Sequence, residues 1–276
     1  MPHCCPIKSH FIWQQWDFYL KCRPHHFKIM LRPWLTLAAI LAAFAINTAS
    51  NIVPIKGQSI GEISNTLFQD VLITPANYAF IIWGVIYVGL FAFGGYQLLP
   101  RQQKNSTLDR IGYLITVGSI AQCLWVIVFQ LRLFTLSFFA MALILLSLIA
   151  AYLQMHQATQ RQSLWYVQVP ISIYLAWISV ATVVNGAIAL YAINWNGWGF
   201  SPVGWTITML GAATVIAFIV TLRHQDLAFV GVFVWALVAI AAKHLNTPVI
   251  AYTAAGLALF LLCTYGAKTL MRSRTI

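Results

Sequence analysis

Acidic side chains are scarce in this sequence: five Asp and Glu stand against sixteen Lys and Arg in 276 residues, and only 8% of positions carry a charge. Ion-coupled pumps and proton relays keep ionisable groups inside their spans, because a charge at mid-bilayer costs about 3 kcal/mol or more and is retained only for a task. Here Glu62, Asp70, Asp109 and Asp226 fall in or beside polar links, as do Arg132, Arg161 and Arg223. A retinal-type Schiff-base lysine with a carboxylate partner is therefore disfavoured. Lys243, next to His244, ends an apolar run, where a lysine can snorkel to the interface. The apolar runs also lack paired carboxylates, a Ser/His arrangement and a His-rich metal set, so no catalytic residue is assigned. His156 and His224, flanked by Gln and Arg, read as solvated loop.

Cysteine is equally uninformative. Cys123 and Cys263 lie in apolar runs, where a thiol acts as a small apolar side chain. Cys4, Cys5 and Cys22, with His3, His10, His25 and His26, crowd the first 29 residues at spacings that match no zinc finger or ribbon. No metal site is expected. Met1 to Ile29 reads as a disordered tail or as an artefact of start-site choice, because Met30 opens a compact basic-then-apolar start, MLRPWLTLAAILAAF. No small-x-small cleavage site follows that run before Asn51, so it reads as a retained anchor.

What the chain has is apolar length. It is 61% hydrophobic with a mean hydropathy of +0.79, more than one water-soluble core can hide. A helix needs about 20 mostly apolar residues to cross the bilayer. Eight segments approach that length, centred on Leu35–Thr48, Tyr78–Leu99, Ile111–Leu131, Phe134–Leu153, Val167–Tyr191, Val203–Leu222, Leu227–Ala242 and Val249–Ala267. Their continuity, without the alternation of barrel strands, predicts an all-α polytopic membrane helix bundle of about eight transmembrane helices. Leu227–Ala242 is short for a crossing, which leaves seven spans or a re-entrant seventh open.

The basic residues support eight. Lys8, Lys21, Arg23, Lys28 and Arg32, then Arg101, Lys104 and Arg110, then Arg161, Arg223, Lys268, Arg272 and Arg274 fall in alternate links; Lys56, Arg132 and Lys243 fall in the others. The positive-inside rule then predicts both termini cytoplasmic, most simply in a plasma membrane. The formal net charge of +11 reflects membrane orientation, and with no soluble domain no nucleic-acid partner is expected. The bilayer is the first partner.

Within this apolar background some positions carry more information. In TPANYAFIIWGVIY, Thr74 to Tyr87, a Thr-Pro start suits a helix N-terminus. On a 3.6-residue period Phe80, Trp83, Tyr87 and Phe91 then share a face, with Asn77 at the helix start. The fifth span repeats the theme with Tyr174, Trp177, Ala181 and Asn185, and the third with Gln122, Trp125 and Phe129. Such stripes are more often helix packing than ligand wall. Asn185 is suited to a hydrogen bond across helices, worth about 1 kcal/mol in a membrane.

These three blocks, TPANYAFIIWGVIY, AQCLWVIVF (Ala121 to Phe129) and IYLAWISVATVVN (Ile173 to Asn185), resemble in order the second, third and fifth helices of the TspO/MBR family, the tryptophan-rich sensory or translocator proteins. Tyr78, Cys123 and Ile173 depart from the family's Trp, Asn and Pro, and its Trp-rich run before the second helix is absent. The resemblance runs from about Leu35 to Tyr191. It implies a five-helix unit holding a flat hydrophobic small molecule, a tetrapyrrole first, with Asn77, Phe80, Trp83, Tyr87, Trp125, Tyr174, Trp177 and Asn185 as the ligand-binding set. It also implies homodimerisation. Light-dependent porphyrin breakdown would be the ligand's own photochemistry, so the chain is read as no enzyme and as having no cofactor beyond that ligand.

The expected organisation is a tail, 1–29, a TspO/MBR-like five-helix unit, 30–193, and three additional transmembrane helices with a basic tail, 194–276. The uncharged link NWNGWGFS, Asn194 to Ser201, is read as part of an interfacial aromatic belt. Two other functions stay open: a small-molecule transporter or permease, weakened by the lack of charged midplane sites, and a structural or assembly membrane protein without ligand. A loose cholesterol-type pattern at Leu262, Tyr265 and Lys268 carries no weight.

Overall fold

The computed structural model describes residues 12–158 and 162–273; of the side chains of 12–30, 272 and 273 nothing is described. The Cys and His crowd of the N-terminal segment and the charges of Lys8, Lys21, Arg23, Lys28, Arg161, Arg272 and Arg274 therefore fall outside the described side chains, and of the segment read as a disordered tail or artefact, residues 12–29 have helical backbone continuous with the first span.

Nine α-helices follow one another among the described residues: α1 (Ile12–Ile52), α2 (Ile60–Thr66), α3 (Ile82–Gln97), α4 (Ser106–Gln130), α5 (Phe134–Gln157), α6 (Val169–Ala192), α7 (Pro202–His224), α8 (Leu227–Lys243) and α9 (Pro248–Ser273). Seven segments are long and apolar enough to cross a membrane, and α8, at 17 residues, is a shorter apolar helix. The chain is an integral, multi-pass membrane protein.

The helix starts follow from local chemistry. Asn105, Ser201 and Asp226 each accept a hydrogen bond from a first-turn amide of α4, α7 and α8. Ser59 and Glu62 form a reciprocal capping box on α2, and the Ser59 donors hold the Glu62 carboxyl below its usual range. One expected cap is absent. The Thr74 hydroxyl donates back to the Val71 carbonyl, Asn77–Ile81 forms a 3-10 turn, and α3 begins only at Ile82.

Packing sorts the helices into two groups. α1 lies against α3, α3 against α6, α6 against α5, α5 against α4, and α4 against α1, which closes a five-helix ring. α7, α8 and α9 pack on one another and meet the ring chiefly where α8 crosses α6. Small residues let backbones approach, as where a Cβ added to Gly89 of α3 would lie 3.1 Å from the Cβ of Pro170 on α6.

The ring also buries polar groups. Arg32, 4% exposed, pairs with Asp109 at 2.5 Å and donates to the Leu108 carbonyl at 2.8 Å. The Thr36 and Thr116 hydroxyls both donate to the Gly112 carbonyl, at 3.2 and 2.9 Å. His156 and His224 are not simply solvated: their rings lie 4.2 Å apart, beside Tyr152, whose hydroxyl donates to Asp226 at 3.0 Å.

Candidate ligand cavity

Three helices of the ring aim tryptophans at one interior point. Trp83 of α3, Trp125 of α4 and Trp177 of α6 line a small cavity of about 40 Å³, together with Phe80 and Asn185. That is room for about one water. Next to it lies a larger cavity of about 410 Å³, which shares Ile60, Phe80, Trp83 and Trp125 and adds Asn47, Asn51, Glu62 and Asn77. Trp83 and Trp125 thus form the partition between a small inner chamber and a roomy outer one.

The rings hold one another in place. Phe80 meets Trp177 edge to face at 6.0 Å, and Trp125 meets Phe129 at 5.4 Å. Tyr87 and Tyr174 line neither chamber. Both back Trp83, Tyr87 stacked on it at 5.8 Å and Tyr174 edge-on at 6.2 Å. The Tyr87 hydroxyl is committed to the Ala43 carbonyl at 3.1 Å. Asn185 accepts from the Ser137 hydroxyl at 3.1 Å, which ties α6 to α5 beside the cavity. Thus Phe80, Trp83, Trp125, Trp177 and Asn185 meet at the inner chamber, Asn77 lies at the outer one, and Tyr87 and Tyr174 are supports.

One polar atom stands out. The indole Nε1 of Trp125 is buried without a hydrogen-bond partner among the described residues. A buried donor left unpaired costs about 1–3 kcal/mol. An acceptor on a ligand in the chamber would recover that.

Several lining residues were not singled out as site residues from the sequence. Ile60 and Ser64 come from α2, a seven-residue helix too short to show a periodic signal, and Met141 from α5, whose apolar face looks like any packing face. Asn47 and Asn51 were detectable, since two asparagines one turn apart near the end of a span are unusual.

The mouth of the outer chamber is braced by the layer outside the ring. Trp235 of α8 donates its indole N–H to the Ala79 carbonyl at 3.1 Å, and the Ala76 amide donates to the Ala239 carbonyl at 3.2 Å. Tyr78 meets Trp235 edge to face at 5.3 Å. Lys243 donates to Asn65 at 3.1 Å, and Asn65 in turn donates to Asn77. Replacing Trp235→Phe keeps the ring but removes the N–H, a loss of about 1 kcal/mol. Hydrogen exchange at residues 76–82 is expected to speed up about fivefold while α4 is unaffected; equal rates would mean that α8 does not brace the mouth.

Comparison with known proteins adds the lineage. No curated protein and no solved structure matches the chain. A family model described as TSPO-like protein matches residues 33–267, past Tyr191, where the motif resemblance stops, and on through α7, α8 and most of α9. The five-helix ring with its tryptophans and the three-helix layer therefore lie within one match, and the chain belongs to the TSPO-like protein family.

Proposed function

We propose that this protein holds a flat hydrophobic ligand, a tetrapyrrole first, in the outer chamber with one edge against Trp83 and Trp125. The observation that carries this reading is the outer cavity walled by Trp83 and Trp125 from two helices, where the Trp125 N–H has no partner among the described residues. The inner chamber is far too small for a macrocycle, whereas about 410 Å³ falls within the roughly 300–1,000 Å³ of small-molecule sites. Asn47, Asn51 and Asn77 would orient the ligand's polar edge. With α8 counted as an eighth crossing, the same reading puts both termini on the cytoplasmic side of a plasma membrane, with Lys56 and Arg132 at the opposite face.

The test is quenching of tryptophan fluorescence by protoporphyrin in detergent. Wild type is expected to give saturable quenching. Trp83→Ala removes a stacking wall and Trp125→Phe removes the free donor, each weakening binding about tenfold. Unchanged affinity in both, with monodisperse protein, would sink the proposal.

A further inference from the structure

A further cavity, of about 510 Å³, opens between α6 and α7. It is separate from the tryptophan chamber: Val183, Ala187 and Leu190 of α6 face it, whereas Trp177, Ala181, Val184 and Asn185 face the chamber. We infer that this cavity binds an amphipathic cation, with a quaternary ammonium head among the aromatic rings and an apolar tail along α6 and α7.

The head site rests on Tyr191, Trp195, Phe200, Trp205 and Asp70, all of which line the cavity. Trp195 and Trp205 lie 5.0 Å apart at 57°, and Phe200 and Trp205 5.7 Å apart at 58°. Rings tilted by that much make a concave wall rather than a flat stack. The Trp205 N–H is already given to the Gly197 carbonyl at 2.7 Å, which fixes the indole and leaves its π face to do the binding. Cations without N–H groups are held by such faces through the ring quadrupole.

Charge selects the sign. Asp70 is the charged residue of the lining, and no Lys, Arg or His contributes to it. The Tyr191 hydroxyl donates to Asp70 Oδ2 at 2.9 Å, which holds the carboxylate at the cavity wall, while Oδ1 accepts no hydrogen bond among the described residues. A zwitterionic phospholipid head would bring a phosphate with no base to receive it, so the occupant is a simple cationic amphiphile. The link that builds the wall is strained at Trp198, whose backbone is left-handed with φ of 49°, while Asn194, at φ 55°, is a residue type that tolerates that region. A bulky residue such as tryptophan holds that conformation only where its surroundings impose it.

The test is native mass spectrometry of the full chain in dodecyl maltoside, titrated with dodecyltrimethylammonium or dodecyl phosphate. One dodecyltrimethylammonium per chain is expected, with no dodecyl phosphate and no retained maltoside. Asp70→Asn keeps an acceptor for Tyr191 and removes the charge, and is expected to weaken the cation about tenfold. Phe200→Leu, at a ring 62% exposed and unneeded for the core, is expected to weaken it about fivefold. Trp83→Ala leaves it unchanged, which separates this site from the tryptophan chamber. Equal binding of all three amphiphiles would mean a lipid-filled crevice, an unaltered affinity in both variants would remove the aromatic cage, and adducts seen only on paired chains would make the face a contact between copies. Each of these overturns the inference.

Discussion

Asp109→Ala is expected to lower stability by about 3 kcal/mol, the largest single effect among the described residues. Arg32 lies in the first turns of the apolar part of α1 with its side chain 3% exposed, and Asp109 sits in the first turn of α4. Removing the carboxylate strands the guanidinium against α4 with the Leu108 carbonyl as its hydrogen-bond acceptor. Losing one member of a buried pair typically costs about 3–5 kcal/mol, and the 34% exposure of Asp109 puts this case at the low end, because solvent softens the loss. The measurement is the thermal loss of helical signal in detergent, with a midpoint about 10 °C lower. The double variant Arg32→Met, Asp109→Leu should recover most of it, since no charge is then left without a partner. If Asp109→Ala matches wild type, the pair contributes nothing to the ring.

The second large effect is expected at Gly89. Its hypothetical Cβ lies 3.1 Å from the Cβ and 3.4 Å from the Cα of Pro170, so a side chain there meets a backbone that cannot swing away. Gly89→Val adds two further methyls and forces α3 and α6 apart, at about 2 kcal/mol for overpacking. The helices that separate carry Trp83 and Trp177, so the chamber walls move with them. A midpoint about 5 °C lower is expected, together with weaker porphyrin quenching. Gly84 and Gly95, on the same helix, have nothing within 4 Å of an added Cβ. Alanine there should be neutral or stabilising by about 0.5–1 kcal/mol, through helix propensity alone. Equal effects at all three glycines would mean that close approach of α3 and α6 does not matter.

The helices were legible because hydrocarbon imposes one rule on every span, and that rule is written locally as about 20 apolar residues. Leu227–Ala242 fell short of that length in the sequence, and α8 is a 17-residue helix. Local chemistry misled at Thr74, where the hydroxyl turns back to Val71 and the 3-10 turn Asn77–Ile81 breaks the 3.6-residue phase. Trp83 and Tyr87 both follow that break, so they keep the expected i, i+4 face of α3 and stack on one another, and Tyr87 sits one turn beyond the chamber wall. Trp83, Trp125 and Trp177 were legible as a set because each repeats the same local theme on its own helix. The burial of Arg32 was not, nor the meeting of His156 with His224, since both depend on which helices become neighbours rather than on adjacent residues. For the same reason the α6–α7 cavity was hidden in what the sequence shows only as an aromatic link.

The bond from Trp235 to Ala79 spans 156 residues of chain. At roughly 5–20 residues per second, the ribosome makes the brace about 8–30 s after the wall that it secures. The ring itself is complete only at Ala192, so for about the last 2–9 s of that interval its five helices are made while the mouth still lacks its strut. If the proposed ligand is held there, a bulky one would be easiest to admit in that window and slow to leave the finished protein. Occupancy would thus record what the membrane contained when each molecule was made.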